Sequence, residues 1–248
     1  MLGIFHNRRL YMKKNYIVLA AYMIVMGVGL FICNQFLNTP YNSTEFSKKF
    51  LPFMIILAVL VLCYGIKNKK ELTLHSESKP NYGFSALLFI PVVGFGLYSI
   101  VRGFSPDLAF VILIIDTALI GIAEEGMYRG ILLGAMAKKM NSLLALLLSS
   151  ALFCALHLLN VIGGLSVSEL IGQLGSTFVM GVFLGAMYLD TRKILFPIIF
   201  HSFWDYILLS GSLEEVQIIP IVLIGVYVLE VFISLIIIIK LLRNPKLY

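Results

Sequence analysis

Residues 108–137 read LAFVILIIDTALIGIAEEGMYRGILLGAMA: thirty residues of almost unbroken apolar sequence, into which Asp116, Glu124, Glu125 and Arg129 are set. A stretch of about 20 apolar residues is long enough to cross a bilayer as a helix. An ionisable side chain inside such a stretch costs several kcal/mol unless it is paired or hydrated, so four of them in one span mark a functional candidate. The rest of the chain has the same apolar character. Of 248 residues, 60% are hydrophobic and only 13% charged, whereas soluble domains carry about 25% charged residues. The mean hydropathy is +0.96.

Working outward from 108–137, seven further apolar runs are expected to span: about 15 to 36, 50 to 66, 83 to 101, 142 to 160, 168 to 189, 194 to 210 and 216 to 240. The predicted fold is all-α, a single integral membrane domain over 1–248 with about eight transmembrane helices. The connections are mostly too short to hold a soluble domain. The longest polar piece, Lys67 to Asn81, reads as a cytoplasmic linker.

Charge gives the orientation. The chain carries 19 Lys and Arg for a net charge of +6, and cytoplasmic loops are enriched in such residues. With both termini inside, fifteen of them fall on the inner side, Arg8, Arg9 and Lys246 included. Only Lys48, Lys49 and Arg102 fall outside, and Arg129 lies within a span. Glu214 and Glu215 fall in an outer loop. The basic clusters sit between spans, where they suit lipid headgroups and not nucleic acid. The three cysteines, at positions 33, 63 and 154, form neither a CxxC pair nor an even-numbered framework.

Polar residues concentrate in three of the spans. In the fourth, Glu125 and Arg129 are four apart and share a helix face, where each lowers the cost of burying the other. Glu124 is then the carboxylate without a cation partner, suited to general acid or base chemistry. Gly126 and Gly130 permit close helix approach. In the fifth span, Phe153 lies one turn before His157, so its ring can wall one side of the imidazole. In the seventh, His201 and Asp205 are four apart, so a carboxylate can contact the second imidazole. A base, an imidazole partner and a candidate oxyanion-binding pair are thus offered by three helices. Asp116 and Glu230 receive no role, although Asp116 can border a cavity next to Glu124. Zinc is the lesser alternative, because the chain has no HExxH motif and no cysteine in the set. No cofactor is expected.

The three segments EEGMYRG, FCALH and HSFWD, in that order, resemble the CPBP membrane proteins. These are the CAAX prenyl endopeptidases and bacteriocin-processing enzymes also called Abi, whose pattern is EExxxR, FxxxH and HxxxN or HxxxD on successive spans. The resemblance covers roughly residues 108 to 210. It implies an intramembrane endopeptidase of the cell membrane that cleaves a membrane-associated or secreted peptide. Glu124 and His157 would activate water, and His201 and Asp205 would stabilise the oxyanion, with Glu125, Arg129 and Phe153 in support. Many prenyl endopeptidases have Asn where this chain has Asp205. An ionised Asp would repel an oxyanion, so Asp205 is read either as protonated or as orienting His201. The rival reading is a non-catalytic immunity or regulatory protein that binds a peptide or sensor. A transporter is a third, disfavoured by the lack of internal repeat symmetry.

One conflict arises within this reading. Counted at about 1.5 Å per residue from the inner-loop charges, Glu124 and His157 lie at roughly 20 to 25 Å depth, but His201 at only about 12 Å. Straight helices would keep them apart. Either the seventh span begins below its charged loop, or Pro197 displaces it, or tilt corrects the depth.

Overall fold

A computed structural model describes residues 2–74, 79–213, 216–217 and 219–243, with side chains from residue 12 onward. Glu214, Glu215, Lys246, residues 75–78 of the linker and the side chains of Arg8 and Arg9 lie outside the described residues. The rest is helical, with no strand among the described residues. In chain order the elements are α1 (Leu2–Gln35), α2 (Phe46–Lys67), a single turn α3 (Lys69–Leu72), α4 (Gly83–Arg102) and α5 (Leu108–Glu125). A π-helical segment (Gly126–Leu133) continues α5 into α6 (Gly134–Ala137), followed by α7 (Ser142–Leu156) and a 3-10 turn (His157–Val161). The chain ends in α8 (Val167–Thr191), α9 (Leu195–Leu209) and α10 (Ile219–Arg243).

Helix boundaries follow local chemistry. Asp107 caps α5 by accepting from the Phe110 amide at 2.8 Å, and Asn141 caps α7 by accepting from Leu143 at 2.8 Å. Ser166 and Glu169 form a capping box on α8. Arg192 ends α8 in the left-handed conformation, at φ 57°. Large apolar side chains such as Ile24, Leu97, Ile221 and Val228 face outward, while Glu125, Arg129 and His201 are buried. This inverted pattern suits a lipid solvent.

Among the described residues, six helices are long and apolar enough to cross a membrane. The other two expected spans are helical as well but depart from that type, α5 by carrying Asp116, Glu124 and Glu125, and α9 by having only 15 residues. These two pack closely on each other, with α2 on the other side of α5. A Cβ built on Gly121 of α5 would lie 2.7 Å from the Ile198 carbonyl oxygen of α9, so only glycine allows this approach. Gly126 likewise meets Val61 of α2, whereas Gly130 has only an ordinary contact with Ile194 at 3.8 Å. The close-approach role expected of Gly130 therefore falls to Gly121. Replacing Gly121 by Ala is expected to destabilise the chain by about 1–3 kcal/mol, as overpacking does. A lowered melting temperature in detergent checks this.

The structure brings His201 beside Glu124 and Glu125 despite the depth expected from counting. Pro197 sits buried in the first turn of α9, where its missing N–H costs little, and does not break the helix. The end of the polar linker contacts the α8–α9 turn: the Asn81 amide donates to the Asp190 carbonyl at 3.0 Å, and the Tyr82 and Phe196 rings lie tilted with centroids 5.6 Å apart. The last residues of α8, Gly181 to Thr191, are buried throughout. In that turn Arg192 is half-buried and Lys193 exposed. A helix of 15 residues then runs about 22 Å, less than a bilayer core of about 30 Å.

Candidate active site

At the α5–α9 contact, Glu125 is the hub. Its Oε1 accepts from Arg129 Nη1 at 2.6 Å and from His201 Nδ1 at 2.8 Å. Arg129 also donates through Nη2 to the Gly181 carbonyl of α8 at 3.0 Å, and its guanidinium lies 4.3 Å from the centroid of the Phe153 ring. Glu125 and Arg129 are completely buried, and His201 is 3% exposed. One carboxylate therefore ties α5, the π segment and α9 together, and through Arg129 also α8 and α7. This pairing lowers the cost of burying the two charges, with Glu125 Oε2 and Arg129 Nε left without hydrogen-bond partners. The π segment begins one residue after Glu125. Such single-turn widenings occur frequently at functional sites.

The opposite edge of His201 faces the cavity. Its Nε2 is 3.8 Å from Glu124 Oε2 and 3.5 Å from Asp205 Oδ2. Glu124 Oε2 is buried and has no hydrogen-bond partner. His157 donates from Nδ1 to the Phe153 carbonyl at 3.1 Å. That bond selects the tautomer of a neutral imidazole and leaves Nε2 with a free lone pair. Phe153 stands edge-on to both imidazoles, with centroid separations of 5.1 Å to His157 and 5.9 Å to His201. The ring keeps the two apart and fixes their planes. Phe153 itself is held by Tyr128, at 5.3 Å.

Glu124, His157, His201 and Asp205 line one cavity of about 780 Å³, which Asp116 also borders. That is within the size range of ligand-binding clefts. Glu230 is buried on α10 and does not line it. Among the described residues, no three His, Cys, Asp or Glu side chains are disposed to hold one metal ion.

The expected side chains are thus brought together, with one difference in connectivity. Asp205 was the expected partner of His201, but the close hydrogen bond to its ring comes from Glu125 on another helix, and Asp205 stands at the longer 3.5 Å. Sequence reading missed a polar chain that reaches the cavity wall at Gln173 and Tyr41: Asn160 donates to Gln173 Oε1 at 2.8 Å, and Gln173 donates to the Tyr41 hydroxyl at 3.1 Å. Asn160 lies three residues after His157, a spacing that marks the same helical face. Gln173, a lone amide in an apolar span, carried a weaker signal.

Residues 106–207 match the family model described as type II CAAX prenyl endopeptidase Rce1-like. The match takes in α5, the π segment, α7, α8 and most of α9, hence every side chain of the cluster. No curated protein matches the chain.

Proposed function

We propose, from the premise that over residues 106–207 this chain belongs to the Rce1-like family of type II CAAX prenyl endopeptidases, that it hydrolyses a peptide bond within the membrane using water activated by Glu124 and His157. The observation that carries this reading is the shared cavity, in which an unpartnered carboxylate and an imidazole with a free Nε2 lone pair face the same space. Water between them loses a proton to Glu124 as its oxygen bonds to the scissile carbonyl carbon. His157 orients that water through Nε2. The carbonyl oxygen becomes an oxyanion, and His201 in its imidazolium form donates to it from Nε2 while Nδ1 stays bonded to Glu125. Glu124 then delivers its proton to the departing amine nitrogen as the C–N bond breaks.

Asp205, 3.5 Å from His201 Nε2, is assigned to balancing and orienting that imidazolium. Glu125 and Arg129 hold the ring and do not touch substrate. No metal enters this scheme, so cleavage is expected to survive chelation. The substrate is a membrane-associated or secreted peptide or protein, prenylated or not.

Mass spectrometry of small peptides from cells carrying the wild-type chain and from cells carrying Glu124→Gln tests the reading. The expected result is a cleavage product present in the first and lost in the second. An unchanged peptide profile contradicts it.

A further inference from the structure

The cavity has a mouth, and its location can be read from contacts between loops. On one face, the Tyr41 amide donates to the Gly163 carbonyl at 2.8 Å, and Arg102 Nε donates to the Ser212 carbonyl at 3.0 Å. These bonds gather the α1–α2, α4–α5 and α9–α10 connections and the loop before α8. On the opposite face, Lys138 Nζ donates to the Glu71 carbonyl at 2.8 Å and Lys240 pairs with Asp190. The cavity reaches the first of these faces: Thr44 and Ser105 line it at the rim, with Glu124, His157 and His201 at its floor. The α9 helix also ends at this rim, with Leu209 and Ser210 contributing.

That rim holds Lys48, Lys49 and Arg102, whereas described lysines on the opposite face, such as Lys138 and Lys240, belong to the fifteen positive residues assigned to the inner side. The positive-inside rule then makes the rim extracytoplasmic.

The cavity is also unbalanced in charge. Among its described lining residues, Glu45, Asp107, Asp116, Glu124 and Asp205 are carboxylates, and Lys48 is the only lysine or arginine. Lys48 is already 3.6 Å from Glu45. Asp107 is held below the usual carboxylate range by the Ser105 hydroxyl and the Phe110 amide, so it is charged at the mouth. Deeper in, Asp116 is 3% exposed and its Oδ1 has no hydrogen-bond partner. A low-dielectric cleft in which one sign of charge predominates concentrates ligands of the other sign.

We infer that the substrate is a cationic peptide segment that enters from the extracytoplasmic face, its positive side chains drawn past Glu45 and Asp107 towards Asp116. This rests on the endopeptidase reading only for what happens after entry.

Two measurements that need no turnover test it. In intact cells, a membrane-impermeant maleimide is expected to label Thr44→Cys at the rim but not Lys69→Cys on the opposite face, which is labelled only after permeabilisation. The unsubstituted chain, with its three cysteines, serves as the blank. The reverse pattern overturns the direction of entry. Separately, purified Glu124→Gln protein in proteoliposomes is titrated with two fluorescent decapeptides that differ only in carrying three Lys or three Glu. At low salt the Lys peptide is expected to bind at least about tenfold tighter, with the preference shrinking as salt rises. Glu45→Lys is expected to reduce that preference. Equal binding, or a preference for the Glu peptide, overturns the charge selection. Labelling and binding as expected with no cleavage by wild-type chain would refute the endopeptidase reading and leave this one standing.

Discussion

Arg129→Met is expected to destabilise the folded chain by about 3–5 kcal/mol, the cost of leaving a buried charge without its partner. Arg129 is completely buried, and its bonds to Glu125 at 2.6 Å and to Gly181 at 3.0 Å are lost together. What remains is the Glu125 carboxylate, with no exposure to water and only His201 to answer it. The side chain lost is similar in length, so little of the effect comes from a cavity. The test is thermal unfolding in detergent, alone and combined with Glu125→Gln. Neutralising Glu125 removes the stranded charge, so the double variant is expected to regain part of the loss. A double variant as unstable as the sum of the two single changes would mean that the pair is not coupled.

The second large effect is kinetic. Glu124→Gln and His157→Ala are each expected to slow cleavage by about 10²–10⁴-fold, the range for removal of a positioned acid or base. Because both act on one water, the double variant is expected to be barely slower than the worse single one. Groups that work as a unit show this strong non-additivity. Independent roles would instead multiply the two losses. Asp205→Asn serves as a contrast. It keeps the shape of the side chain and removes the charge 3.5 Å from His201 Nε2, so a smaller loss is expected, measured on the same substrate.

The fold was legible to the extent that lipid dictates it. Apolar runs of spanning length gave the helices, and the i, i+4 spacing of Glu125 and Arg129 gave a pair that meets as anticipated. Glu124 stood out as the carboxylate left over, and its Oε2 has no hydrogen bond. What sequence could not supply was whatever depends on two helices meeting. The bond from His201 to Glu125 requires α9 to approach α5 at Gly121, and nothing in either segment alone specifies that register. His201 was therefore matched to Asp205, its neighbour on the same helix. Nor does composition announce the π segment, since Gly126–Leu133 has the same apolar character as α5. Depth failed for a related reason: counting residues from charged loops assumes that those loops lie at the membrane surface. His201 nevertheless meets Glu125 at 2.8 Å, although its span starts from the Arg192 and Lys193 turn.

The site also clarifies why so much polarity is spent away from the reacting atoms. Glu125 and Arg129 lie out of reach of a substrate in the cavity, yet they set the plane of His201 and fix α5, α8 and α9 relative to one another. Phe153 accepts the His157 proton through its backbone and separates the imidazoles with its ring. A lax version of this framework would leave the same three side chains in a bilayer with no common orientation.

The most direct test of the account is the rate at which purified Glu124→Gln protein, with an unchanged melting temperature, cleaves the peptide that wild-type chain cleaves in the same proteoliposomes. A fall of at least about 100-fold is the predicted result. Cleavage at the wild-type rate would contradict it.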